Sequence, residues 1–142
     1  MNPAAKFDRP LLAKDLTREI IGCFYRVHDG LGFGFLESVY RRALAHELGK
    51  RGHRVRIEAP IDVWYDGANV GHFRADLIVG ETVLVELKAS PSLCAADHAQ
   101  LLNYLRGSEL EVGLLLHFGP RPAFHRFVHG NARKRRRSRE DR

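Results

Sequence analysis

The chain has 142 residues, of which 44% are hydrophobic and 28% charged, and its formal net charge is +6. This composition fits one soluble globular domain and excludes collagen-like, coiled-coil and wholly disordered chains. No run of 18 apolar residues predicts a membrane-spanning helix, and the early acidic residue does not fit a secretory leader, so the expected location is the cytoplasm.

Two helices are predicted in the first third of the chain. Residues 1–14 lack apolar periodicity and are predicted to form an irregular lead-in. Helical spacing of apolar residues predicts a helix over 15–28 and another over 36–51, separated by a glycine-rich turn. Arg41 is expected on the solvent side of the second helix.

The period then changes to the alternation of strands. Strands are predicted over 55–65, with a break or bulge at Pro60, and over 70–79. The remaining predicted elements are a strand over 82–89, a helix over 95–106, a strand over 112–118 and an edge strand near 124–128. This order predicts an α/β domain over 15–130, with a central mixed sheet flanked by helices.

Three charged residues, Asp76, Glu86 and Lys88, interrupt two otherwise apolar strands. Alternate strand residues share a face, so Glu86 and Lys88 point the same way. Asp76 joins them if the turn is centred on Glu81, through a three-residue connection or an equivalent bulge, because a two-residue turn would pair Asp76 with Val85.

Two converging carboxylates suit a hard divalent cation such as Mg²⁺, with Mn²⁺ as the alternative ion. A neighbouring amine can orient or help deprotonate a water molecule during metal-assisted phosphodiester cleavage. The competing interpretation is a buried ion pair between Glu86 and Lys88 that has no catalytic role.

This pattern of an acid, a hairpin and Glu-x-Lys resembles the PD-(D/E)XK nuclease superfamily. The segment from Gly34 to Tyr40 is also similar to the signature of the GxxExxY family, a branch of that superfamily. The resemblance covers roughly residues 15–120 and implies a restriction-endonuclease-like core that cleaves DNA with Mg²⁺. It further implies that Asp76 and Glu86 hold the metal together with the Leu87 carbonyl, and that Lys88 positions the attacking water.

The same resemblance implies roles for four helical residues. Glu37 would reach the metal site and Gln100 would approach the catalytic centre, supported by Tyr40 and Tyr104. Two plainer interpretations stay open: Glu37 as an acid that stabilises a helix N-terminus, and Gln100 with Tyr104 as a polar helix face. A homodimer is a further expectation, because a small nuclease core that cuts both strands often pairs up.

The last residues carry most of the net charge. Residues 133–142 hold seven basic and two acidic residues, whereas residues 1–132 hold 16 basic and 15 acidic ones. Residues 131–142 are therefore predicted to be a disordered basic tail that either binds nucleic acid or only improves solubility. The candidate phosphate-binding residues are Arg133, Lys134, Arg135, Arg136 and Arg137. Because the rest of the chain is nearly neutral, the alternative function is a non-catalytic nucleic-acid-binding or interaction module that keeps the nuclease fold.

Overall fold

A computed structural model describes residues 9–130 of the protein, with side chains from residue 13 onward. Three helices and five strands make up this part of the chain. The helices are α1 (Arg9–Leu31), α2 (Glu37–Lys50) and α3 (Ala95–Gly107). The strands are β1 (Val55–Tyr65), β2 (Ala68–Val79), β3 (Val83–Lys88), β4 (Val112–Phe118) and β5 (Pro122–Val128).

The strands form one mixed sheet in the order β1-β2-β3-β4-β5. Only β3 and β4 run parallel, and α3 makes the crossover between them; the other neighbours are antiparallel. This topology confirms the predicted α/β class and the restriction-endonuclease-like core. None of the helices within residues 9–130 has the length and apolar character needed to cross a bilayer.

The core lies on both faces of the sheet, because alternate residues of the central strands point to opposite sides. One cluster packs β3 residues Val83, Val85 and Leu87 with buried residues of α1 and α2. The other packs Leu84 with α3. Glu86 shares the parity of Leu84, so its side chain belongs to the face that α3 covers.

Two local predictions are corrected by the structure. Helix α1 begins at Arg9, so the predicted lead-in is helical over 9–14. Pro10 fits there because the first turn of a helix leaves its N–H groups unbonded. Strand β1 also runs through Pro60, which pairs with Arg74, and the register shifts later, between Val63 and Trp64. Proline is accommodated because β1 is an edge strand.

Candidate active site

The hairpin between β2 and β3 has the long turn that the chemical interpretation required. Val79 pairs with Val83, so three residues, 80–82, connect the strands. Gly80 and Glu81 both adopt left-handed backbone angles, with φ of 60° and 55°. The predicted longer turn is confirmed, and Asp76 and Glu86 are the residues next to the last strand pair, Leu77–Val85.

The two carboxyl groups each accept a hydrogen bond from the neighbouring strand. The Asp76 N–H donates to Glu86 Oε1 at 3.2 Å, and the Leu87 N–H donates to Asp76 Oδ2 at 2.8 Å. These reciprocal bonds hold both side chains between β2 and β3. The structure therefore brings together the two acids that the sequence singled out.

Glu86 is a buried acid, with 8% of its surface exposed. Burial, reinforced by the nearby negative charge of Asp76, raises the pKa of Glu86 to about 8. In the described part of the chain, the ion pairs of Lys88 and Arg41 go to other acids. The Glu86 carboxyl therefore retains a proton at neutral pH.

Lys88 pairs with an acid that the sequence analysis did not select. Its Nζ lies 3.9 Å from Asp97 Oδ1, at the start of α3. Asp97 also accepts a hydrogen bond from the Cys94 N–H at 2.9 Å, and this bond lowers the pKa of Asp97. The sequence did contain a signal for Asp97: it lies three residues after the N-cap of α3, where an acidic side chain completes a capping box. The competing Glu86–Lys88 ion pair is thus replaced by a Lys88–Asp97 pair.

Glu37 is the first residue of α2, and its electrostatic surroundings link it to this site. Partial desolvation raises the pKa of Glu37, while the charge of Lys88 lowers it and that of Asp76 raises it. The fold therefore brings Glu37 within electrostatic range of both residues. Glu37 also lies in the first turn of α2, where a negative charge interacts favourably with the helix dipole. The interpretation of Glu37 as an acid that stabilises the helix N-terminus therefore applies as well.

Tyr40 holds the loop that precedes Glu37. Its buried ring stacks on Phe118 with ring centres 4.3 Å apart. The hydroxyl accepts a hydrogen bond from the Phe35 N–H at 3.2 Å and donates one to the Gly32 carbonyl at 2.5 Å. Gly34 in this loop has a φ of +117°, which other residues rarely adopt. The turn at Gly34 and the hydrogen bonds of Tyr40 thus hold the loop that leads into α2 in one conformation.

Gln100 and Tyr104 contact each other on α3. Gln100 Nε2 donates a hydrogen bond to the Tyr104 hydroxyl at 2.6 Å. The Tyr104 ring stacks on Phe73 at 3.6 Å, which makes it a packing residue. Its pKa is raised, chiefly by burial and then by the charge of Glu86. Tyr104 therefore lies within electrostatic range of the acidic pair, and Gln100 is held through it.

Arg41 is the second residue that sequence reasoning missed. It lies one turn after Glu37 and does not point to solvent as expected, because its side chain is only 18% exposed. Its Nη1 lies 3.0 Å from Asp76 Oδ1 and its Nη2 lies 3.1 Å from Glu58 Oε1. No local pattern identified this contact, because 35 residues separate Arg41 from Asp76.

The donor set fits a hard divalent cation. Within residues 9–130, no group of three or more His, Cys, Asp and Glu side chains has the arrangement of a complete metal site. Mg²⁺ does not require one, because one or two carboxylates together with water and substrate oxygens usually hold it. Asp76 and Glu86 supply two carboxyl groups, and the ion pairs of Lys88 and Arg41 within the described residues leave Glu86 without one.

A mixed five-stranded sheet, helices on both faces and a carboxylate pair beside a lysine define a restriction-endonuclease-like domain. The sequence profile of the PD-(D/E)XK nuclease superfamily matches residues 14–127, and the chain belongs to that superfamily. No curated protein sequence matches the chain significantly. Among solved structures, the crystal structure of SSO0001 is similar with a TM-score of 0.47 and 23% identity. The match covers 73% of this chain and 56% of that one, so the chain spans just over half the length of that relative.

Proposed function

We propose that the protein is a metal-dependent nuclease that hydrolyses phosphodiester bonds in DNA, in the GxxExxY branch of its superfamily. The observation that carries this proposal is the juxtaposition of Asp76 and Glu86, with Lys88 two residues beyond Glu86 on the same strand. Membership of a superfamily of nucleases supports it. The burial of Glu86, which forms no ion pair with Lys88 or Arg41, also supports it, because a buried carboxylate becomes favourable in its charged form when a cation binds it.

Asp76 and Glu86 would hold Mg²⁺, or Mn²⁺ in its place, and the Leu87 carbonyl is the proposed further ligand. When bound, the ion offsets negative charge on the phosphate and makes a water molecule more acidic. Glu86 has to release its proton to bind the ion, because the pKa of this buried carboxyl is about 8. Metal affinity should therefore increase between neutral and mildly alkaline pH.

Lys88 is the proposed residue that positions the attacking water and helps remove its proton. The Asp97 carboxylate, 3.9 Å from Lys88 Nζ, limits where the amine can lie. Glu37 and Gln100 complete the proposed site, and Tyr40 and Tyr104 hold them in place through the contacts described above. We propose that the protein acts in the cytoplasm, and that two copies act together when both strands are cut.

The deciding experiment measures cleavage of single- and double-stranded DNA, and of RNA, with Mg²⁺ or Mn²⁺. We expect DNA cleavage by the wild type and a loss of at least about 100-fold in Asp76→Asn, which keeps the side-chain size but removes a metal-binding charge. Asp62→Asn, at an exposed position of β1, is the matched control and should retain activity. Activity that survives Asp76→Asn would refute the proposed site, and binding without cleavage under either metal would favour the non-catalytic module.

The basic residues 133–137 lie outside the described residues, and we propose that they contact phosphates. Replacing all five with glutamine should weaken DNA binding and make its salt dependence shallower. The slope of log K against log salt should fall by up to about 4–5 for duplex DNA, since each lost phosphate contact removes about 0.9. An unchanged slope in binding titrations would assign the tail to solubility instead.

A further inference from the structure

Arg41 bridges two acids that come from neighbouring strands. Its Nη1 contacts Asp76 Oδ1 at 3.0 Å on β2, and its Nη2 contacts Glu58 Oε1 at 3.1 Å on β1. Glu58 lies between the pairs Ile57–Leu77 and Ala59–Ala75, and is therefore directly across from Asp76. The guanidinium thus spans both strands beside the proposed metal site.

The backbone of Glu58 is unusual for a strand residue. Its φ is +50°, in the left-handed region that residues other than glycine seldom adopt. Such a conformation is unfavourable and persists only where the surrounding contacts require it. Here it accompanies a carboxylate placed within reach of Arg41. Glu58, the second carboxylate that the Arg41 guanidinium contacts, is therefore kept in an unfavourable backbone conformation.

Arg41 also uses the oxygen that a cation would need. Asp76 Oδ2 accepts the Leu87 N–H, and Asp76 Oδ1 accepts Arg41 Nη1, so both oxygens already have partners. A divalent cation that binds Oδ1 would have to share this oxygen with the Arg41 guanidinium, and the two positive charges would repel each other. The Arg41 side chain is not fully satisfied where it lies, because its buried Nε has no hydrogen-bond partner.

We propose that Arg41 is a positioning residue that competes with the divalent cation for Asp76, and that Glu58 retains the guanidinium when the cation binds. The inference rests on the proposed function, because it requires Asp76 to be a metal ligand. In the absence of metal, Arg41 offsets the charge of Asp76 and keeps it aligned. On metal binding, the guanidinium shifts its contact toward Glu58 and stays beside the site as a positive charge.

The test is calorimetric titration of the full chain with Mn²⁺ alone, at fixed pH and ionic strength. Arg41→Gln should bind Mn²⁺ about tenfold more tightly than the wild type, because no guanidinium then competes with the cation for Asp76 Oδ1. Glu58→Gln should bind several-fold more weakly, because Arg41 is left with Asp76 as its single anchor. Opposite shifts in these two variants are not expected if Arg41 only stabilises the fold.

Two further variants separate direct competition from simple loss of charge. Arg42→Gln removes an exposed arginine next along the same helix and should leave Mn²⁺ affinity within about twofold of the wild type. Arg41→Lys keeps the charge but lacks the two-pronged guanidinium, so it should also bind Mn²⁺ more tightly than the wild type. Circular dichroism and thermal melting establish that each variant is folded.

The outcomes distinguish this inference from the proposed function. Equal Mn²⁺ affinity in the wild type, Arg41→Gln and Glu58→Gln would overturn the inference and leave the metal site standing. Binding to neither the wild type nor Arg41→Gln would overturn the metal site itself, and the inference with it. Binding that is detectable only in Arg41→Gln would support the inference in its strongest form.

Discussion

Lys88→Ala is expected to lower the DNA cleavage rate by roughly 10²–10⁴-fold, the contribution typical of a positioned proton-transfer group. The physical reason is the place of Lys88 on β3, two residues beyond Glu86, with its amine oriented by Asp97. The substitution removes no proposed metal ligand, so Mn²⁺ binding should persist. Single-turnover cleavage and calorimetry on the same preparation measure both quantities.

Lys50→Ala is the matched control, because Lys50 is an exposed lysine of α2 that pairs with Glu47 away from the carboxylate pair. We expect it to cleave DNA at close to the wild-type rate. Lys88→Arg retains the positive charge but changes its size and basicity, and should recover only a small part of the activity. Retention of at least half of the rate in Lys88→Ala would remove Lys88 from the mechanism.

Glu86→Gln is expected to make the metal-free protein more stable than the wild type, increasingly so as the pH rises from about 5 to 8. The pKa of Glu86 is about 8 in the fold against an ordinary value of 4.5, so between these values the folded chain holds a proton that the unfolded chain has lost. The wild type therefore loses stability with rising pH in this range, and the loss is complete above the folded pKa. Glutamine cannot ionise and removes this loss, roughly 2–5 kcal/mol in total at about 1.4 kcal/mol per pKa unit.

Urea denaturation between pH 5 and 9 in the presence of a chelator measures this difference in the free energy of unfolding. Glu81→Gln, which removes an exposed carboxylate from the loop of the same hairpin, controls for the loss of one acid as such. Saturating Mg²⁺ should restore the wild type at pH 8, because a ligand that binds only the folded state stabilises it, and should not help Glu86→Gln. Parallel pH curves for the wild type and Glu86→Gln would contradict the assignment.

Local patterns predicted most of the fold. Within residues 9–130, apolar periodicity located the three helices and the five strands, since helix and strand place their buried side chains at different spacings. The wrong predictions concern prolines, whose effect depends on where in a helix or sheet they lie. The predicted lead-in extended too far and a break or bulge was expected at Pro60, but a helix's first turn, where Pro10 lies, and an edge strand both tolerate a missing N–H.

The sequence by itself determined the face shared by Glu86 and Lys88, because strand alternation is a property of neighbouring residues. It also showed that Asp76 could join them only through a three-residue turn or an equivalent bulge, and the register shows that the hairpin has the three-residue turn. Only the tertiary structure revealed the Arg41 bridge from Asp76 to Glu58 and the pairing of Lys88 with Asp97. The Arg41 contacts join residues far apart in the chain, and the Lys88 contact depends on how α3 packs against β3, so no local spacing encodes either of them.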